Sequence, residues 1–265
     1  MTSPRSDIWI APAQTDLVWF SGADYLRFLN DILSQELGGL NPGEARRSLL
    51  LAPQGKLDFL LWVIRDEERI GLATASGRGD DLASALGRYR IRVDVDIEPE
   101  SKGVWVVVGH WEGFDVSWPG VERHLLVGER PELPEMTHDE YERLRINAGE
   151  PKWGVDVDDG TIPHESGLVT SSVDFTKGCF LGQELVARID SRGGNTPRNL
   201  RLLQLEEQVD IGAAVTVDGD GVGTLTSAAG DVGLAMLKRS VSVGDTVEVA
   251  GVRAVVRELP AKTRG

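Results

Sequence analysis

The chain has 265 residues, 41% hydrophobic and 26% charged, the usage of an ordinary globular protein built as one large or two to three small domains. A formal net charge of -14 excludes a protein that grips nucleic acid by nonspecific phosphate neutralisation, and it offers an anionic membrane no attraction. A single cysteine excludes an internal disulfide, a zinc site built on cysteine pairs and a four-thiolate cluster.

Residues 1–16 carry Pro4, Arg5, Asp7 and Pro12 and lack the apolar core of a signal peptide. Apolar runs such as 49–52 and 104–108 fall far short of the ~20 residues a membrane span needs. The expectation is a cytoplasmic protein with no membrane partner. Residues 7–20 read as extended, and 23–37 place Leu26, Leu29, Ile32, Leu33 and Leu37 at helical spacing. A strand over 47–51, a break at Pro53-Gln54-Gly55 and strands over 56–64 and 69–75 follow. Next come a helix over 80–89 and strands over 91–97 and 104–109, an α+β order. Residues 111–134 read as turns and short strands.

Thr137 and Glu140 form a capping box for a helix that Gly149 ends. The stretch 149–177 predicts a long ordered loop, and loops of that length in a compact domain usually carry function. From about 199 to 259, six short Val- and Leu-rich runs (200–205, 214–217, 221–226, 232–237, 246–249, 252–257) alternate with Asp-Gly and Gly-Asp turns. They predict a small β-barrel or sandwich after a break near Thr196-Pro197.

The chemistry concentrates in Thr176-Lys177-Gly178-Cys179-Phe180-Leu181-Gly182-Gln183-Glu184. Flanking glycines permit a sharp turn that leaves the sulfur accessible, and Lys177 with a helix starting near Leu181 would favour the thiolate. A lone cysteine is also commonly a small buried hydrophobe, and both readings stay open. None of His110, His124, His138 and His164 lies near Cys179 in sequence, which disfavours a cysteine hydrolase. His164 has no partner at metal-ligand spacing.

The octet 177–184 resembles the K-G-C-(aromatic)-x-G-Q-E signature of the YgfZ family of folate-binding proteins, implicated in iron-sulfur cluster assembly and repair. The likeness continues in Ala187-Arg188 and Arg192-Gly193. Arg145-Ile146-Asn147-Ala148-Gly149 and Ile162-Pro163-His164-Glu165 resemble the R-x-E-A-G and P-x-E segments shared with the glycine-cleavage T-protein aminomethyltransferases. Gly22-Ala23-Asp24, Phe28-Leu29, residues 53–59 and Gly223-Thr224-Leu225-Thr226-Ser227 look like further patches of that superfamily.

The resemblance implies an α+β, three-domain ring or cloverleaf of T-protein type with a C-terminal small β-barrel. Residues 1–100, completed by 137–195, would form the folate-binding subdomain, 101–136 part of a middle one and 197–265 the barrel. Tetrahydrofolate would bind toward the centre, with Glu165 accepting the pterin's ring N–H and amino group. Gln183, Glu184, Arg188, Arg192 and Arg198 would contribute to folate binding, with Arg201 a further cation for its tail. Cys179 and Lys177 would carry any chemistry. No intrinsic metal is expected, though Cys179 could transiently ligate an iron-sulfur cluster. Partners would be folate and iron-sulfur assembly proteins or client enzymes.

Where the aminomethyltransferases carry a catalytic aspartate, this chain has Phe59, and alternation turns Asp58 to the opposite, solvent-facing side. The reading is therefore a folate-binding assembly factor rather than a conventional enzyme. The alternatives are a folate-dependent one-carbon transferase, weakened by Phe59, and an inert folate sensor or scaffold.

Overall fold

The computed structural model describes residues 7–12 and 15–262. Part of the stretch read for a leader, residues 1–6, lies outside the described residues, as do 13–14 within the extended segment. The amino-terminal region runs β1 (Trp9–Ile10), β2 (Thr15–Ser21), α1 (Tyr25–Ile32), β3 (Ala45–Leu51), β4 (Leu57–Arg65), β5 (Ile70–Ala75), α2 (Gly79–Gly87) and β6 (Asp96–Pro99). Five of these strands form an antiparallel sheet in the order β3-β4-β5-β2-β6.

Its two faces follow from the two-residue period of the strands. Val18, Phe20, Phe59, Leu61, Val63 and Leu72 point to one face, where Phe28, Leu29 and Ile32 of α1 and Leu82 and Leu86 of α2 cover them. Leu17, Trp19, Ile64 and Ala73 point to the other, against Val116 and Leu125. Leu125 belongs to, and Val116 directly follows a strand of, a second antiparallel sheet, β1-β7-β9-β8, with β7 (Val104–Val108), β8 (Phe114–Asp115) and β9 (Arg123–Val127).

The next helix, α3 (His138–Asn147), opens with the expected capping box, Thr137 Oγ1 accepting from the N–H of Glu140. The loop after it holds a short 3-10 turn, Pro163–Ser166, the single-turn α4 (Val169–Ser172) and then α5 (Gln183–Asp190). Six strands complete the chain: β10 (Arg198–Leu205), β11 (Ala214–Val217), β12 (Asp220–Ala229), β13 (Val232–Lys238), β14 (Thr246–Val249) and β15 (Val252–Arg257). They close into a barrel, β10-β13-β12-β11-β14-β15, rather than a sandwich.

Two of the superfamily-like segments meet where the barrel docks. Asp156 accepts from Arg145 Nη1 of α3 at 2.7 Å and from Ser227 Oγ of β12 at 2.8 Å, while Arg145 Nη2 donates to Ser227 Oγ at 2.7 Å. The pair is buried, and each charge is fully hydrogen-bonded, the condition under which a buried ion pair is tolerable. Ile146 packs beside it on Leu200, Val232 and Leu234.

The structure corrects three local expectations. The helix read over 23–37 stops at Ile32, because the chain beyond it pairs with β3: Ser34 N–H donates to Leu49 O, and Leu49 N–H to Ser34 Oγ. The strand read over 91–97 reduces to Asp96–Pro99, preceded by an exposed Ile91 and by Arg92 at φ 56°. The helix placed near Leu181 begins at Gln183, because Gly182 is left-handed at φ 73°. Among the described residues no helix is long and apolar enough to cross a membrane.

Candidate functional site

The loop around Cys179 is braced at several points. Lys177 Nζ reaches the C-terminal end of α1 and donates to the carbonyls of Leu33 at 2.7 Å and Gln35 at 2.9 Å, and also to that of Asn30. These are the carbonyls a helix end leaves without partners, so an ammonium is well placed there. Burial pushes the Lys177 pKa down to about 8, against the opposing pull of Glu36, Asp31 and Asp174. The ammonium expected beside the thiol is thus held by α1.

Phe180 is buried among Leu49, Leu51, Leu57 and Val186. Gln183 Oε1 accepts from the N–H of Phe180 at 3.0 Å and closes the loop on itself. A Cβ on Gly182 would lie 2.5 Å from Ala52 O and 2.9 Å from Leu51 Cβ, and one on Gly55 would lie 2.5 Å from Leu185 Cβ. The two glycines let α5 press onto the tip of the β3–β4 hairpin. Cys179 is left exposed on this braced loop.

At the hairpin, Leu50 faces Phe59 and Leu51 faces Leu57, so Asp58 is the extra residue of a β-bulge. Burial still alternates, with Leu57, Phe59 and Leu61 buried and Asp58 and Leu60 on the other side, but the Asp58 expected in solvent is half-buried. It lines a cleft of about 510 Å³ with Gln54, Lys56, Arg88, Asp159 and Leu181. Burial raises its pKa, opposed by the charges of Arg78 and Arg88. Phe59 is 1% exposed, with the Arg78 guanidinium 3.9 Å from its ring centre.

A cavity of about 420 Å³ lies where the two sheets, α3 and the following loop converge. Trp62, Trp118, Trp153, Tyr141 and Arg123 are in its wall. A neighbouring cavity of about 500 Å³ shares Trp62 and Trp118 and adds Arg47 and Lys262. Arg123 is buried, donating to Val116 O at 3.0 Å and Tyr141 Oη at 2.9 Å, with its guanidinium 3.5 Å from the Trp118 ring centre. Its Nε has no partner, and among the described residues no carboxylate lies within ion-pair distance of it. Burial lowers the Arg123 pKa and raises that of Tyr141. By contrast Arg47 is satisfied, its two Nη atoms 2.8 and 2.6 Å from the carboxylate oxygens of Glu150.

Glu165 is 3% exposed and is not in the wall of the Trp-lined cavity. Its Oε2 accepts from the N–H of Ile162 at 2.9 Å and its Oε1 from Arg198 Nε at 3.2 Å, so it braces the 163–166 turn against β10. Glu184, Arg188 and Arg192 are exposed along and just beyond α5. The sequence reading brought Cys179, Lys177 and Gln183 together, and missed Trp62, Trp118, Arg123 and Tyr141. Those four come from β4, β9, α3 and an intervening loop, and no local motif links them.

The sequence also hid a histidine cluster. His110 Nδ1 lies 2.7 Å from Glu122 Oε1, His124 Nε2 lies 3.4 Å from the same oxygen, and the three donor atoms fall within 4.8 Å of one another. The set could hold a divalent ion. However, a metal on His124 Nε2 would leave the proton on Nδ1, which is buried without an acceptor, the reverse of the supported arrangement metal-binding histidines show.

An α+β body with an appended closed barrel is the fold of the aminomethyltransferases. The glycine cleavage system aminomethyltransferase T from Bartonella henselae superposes with a TM-score of 0.76 at 16% identity, covering 98% of this chain and 88% of that one. Residues 198–262 match the family described as CAF17, C-terminal beta-barrel domain. The human iron-sulfur cluster assembly factor IBA57, mitochondrial, is 36% identical over 261 residues, 82% of this chain and 73% of that protein. This chain belongs to the IBA57 family. A putative chloroplastic transferase of Arabidopsis thaliana is 35% identical over 132 residues, 47% of this chain, and the match spans 30% of that longer protein. The kinship expected from the motifs and the fold expected from them are both borne out.

Proposed function

We propose that this chain serves iron-sulfur cluster assembly, holding a reduced folate in the Trp-lined cavity and presenting Cys179 to a partner. Membership of a family whose human member is named an iron-sulfur cluster assembly factor supports the first part. The observation that carries the second is the braced loop. Lys177, Phe180 and Gly182 are each anchored on other elements, Gln183 closes the loop on itself, and the thiol they frame is exposed. An exposed thiol on a rigid turn suits attack on an electrophile or ligation of a cluster passed between proteins. The cluster is cargo here, its other ligands supplied by the partner.

The cavity fits a folate in three respects. Its volume is in the range of small-molecule sites. Trp62, Trp118 and Trp153 give its wall aromatic surface suited to a pterin, each ring having one face covered by a guanidinium, of Arg47, Arg123 and Arg78 respectively. Arg123 offers an anionic ligand a buried guanidinium whose Nε is unpartnered; Glu142 and Glu150 share the cavity wall, Glu142 engaged by Arg145 and Glu150 by Arg47. When bound, a tetrahydrofolate would supply a carrier of one-carbon units. Glu165 acts in this reading as a brace for the 163–166 turn, since both its oxygens are occupied. The transferase alternative gains no support, because Phe59 is not titratable and Asp58 lines the hairpin-tip cleft instead.

The test has two arms. Titration with 5-formyl-tetrahydrofolate, followed by tryptophan fluorescence, is expected to show saturable binding. Arg123→Met should weaken it about tenfold or more, the loss of one charge-assisted contact of about 1.5–3 kcal/mol. Cys179→Ser should bind the folate as tightly as wild type yet fail to restore cluster-dependent enzyme activity in cells lacking the gene. Full restoration by Cys179→Ser would remove the thiol from the function.

A further inference from the structure

The inward face of the barrel changes character at one end. On β10 the inward residues Leu203 and Leu205 pack with Leu225, Leu237 and Val256, while Leu200 and Leu202 face outward toward α3. Period-two alternation therefore puts Arg201 and Asn199 on the inward face beyond Leu203. On β13 the inward pair is Ala235 and Leu237, and the same alternation puts Arg239 inward just past the strand's end. The register agrees, with Asn199 opposite Leu237 and the N–H of Arg239 on Pro197 O. Apolar filling thus gives way to two guanidinium groups at a single mouth.

These arginines line a cavity of about 310 Å³ with Asn199, Thr196, Ser242 and Gly194, and no acidic residue is in its wall. Arg201 Nε is buried and without a partner. Among the described residues neither arginine takes part in an ion pair. Asn199 Oδ1 accepts from Thr196 Oγ1 at 2.9 Å, which leaves its amide N–H groups as donors. Asp245, in the following loop, has Oδ2 on the backbone N–H of Ser242 at 2.8 Å. In a chain of net charge -14, a pocket whose charged wall is wholly cationic is a local exception. Its donors want a ligand that only accepts.

We propose that the barrel mouth is an oxyanion site for inorganic phosphate or the phosphate group of a small phosphate monoester. A guanidinium presents paired N–H groups at the spacing of phosphate oxygens, and two of them offset a dianion. The mouth of a β-barrel is a common place for such a ligand. The site is separate from the Trp-lined cavity and stands or falls without the folate reading.

Inorganic phosphate titrated into the full chain at constant ionic strength, followed by calorimetry, should show one saturable site. Arg239→Gln, at an exposed position, and Arg201→Gln should each weaken phosphate binding about tenfold or more, while Arg27→Gln, at an exposed position on α1, leaves it unchanged. Methyl phosphate should bind comparably and malonate more weakly. Phosphate binding that survives in Arg239→Gln, that disappears in Arg27→Gln, or that malonate equals would overturn the assignment, as would the lack of any saturable site in the wild type.

Discussion

Lys177 shows how a residue beside a reactive-looking thiol can owe its place to something else. Its ammonium caps the carbonyls of Asn30, Leu33 and Gln35, three acceptors that α1 and the turn after it leave open. Replacing it with Met removes every donor at once. The side chain is part-exposed, so water re-solvates some of what is lost, and hydrogen bonds to a charged group are worth about 1.5–3 kcal/mol when fully buried. Lys177→Met is therefore expected to lower stability by about 1–2 kcal/mol in urea unfolding. Cys179→Ser, at an exposed site, should stay within about 0.5 kcal/mol of wild type. Equal midpoints for the two variants would show that α1 does not depend on this cap.

Among elements, the contact between the β3–β4 hairpin and α5 depends on which glycine of the motif is considered. Gly182 has φ +73° and no room for a Cβ, whereas Gly178 has an ordinary φ and nothing within 4 Å of where its Cβ would stand. Gly182→Ala combines left-handed strain with a backbone clash and should cost about 2–4 kcal/mol, while Gly178→Ala should cost about 0.5 kcal/mol or less. Comparable thermal midpoints for the two would disprove the close approach. The motif's spacing announced a tight turn, but which glycine meets the hairpin depends on a chain segment 130 residues away. Strands at Ala214–Val217, Thr246–Val249 and Val252–Arg257 were legible to the residue, because alternation and Asp-Gly turns are local signals. The end of α1 and the bulge at Asp58 were not, since backbone pairing with β3 decides both. Of the candidate site, the Cys179 loop was readable as a motif. The cavity wall was not, because Trp62, Trp118, Arg123 and Tyr141 converge only through the packing of separate elements.

Across the whole molecule, buried charge ties the pieces together. Arg145 and Asp156 dock the barrel onto α3, Arg47 grips Glu150, and Lys262, after the last barrel strand, donates to Gly149 O at 2.7 Å with Glu150 Oε2 3.8 Å away. Lys262 is the member whose charge is least well matched. Burial outweighs the attraction of Glu150 and lowers its pKa from an ordinary 10.5 to about 8. Below pH 8 the folded and unfolded states both hold the proton, so the folded state bears the full cost of the buried charge. Between pH 8 and 10.5 the folded state releases that proton while the unfolded state keeps it, so the unfolded state binds more protons and stability rises with pH. Above 10.5 neither state holds it and the effect levels off. The unfolding free energy of wild type relative to Lys262→Met should therefore move in favour of wild type as pH rises from 8 to 10.5. Taking the difference between the two proteins removes tyrosine titration, which both share. A difference that is flat across that window, or that moves toward Lys262→Met, would mean that Lys262 keeps its charge through water and does not tie the carboxy-terminal segment to the core.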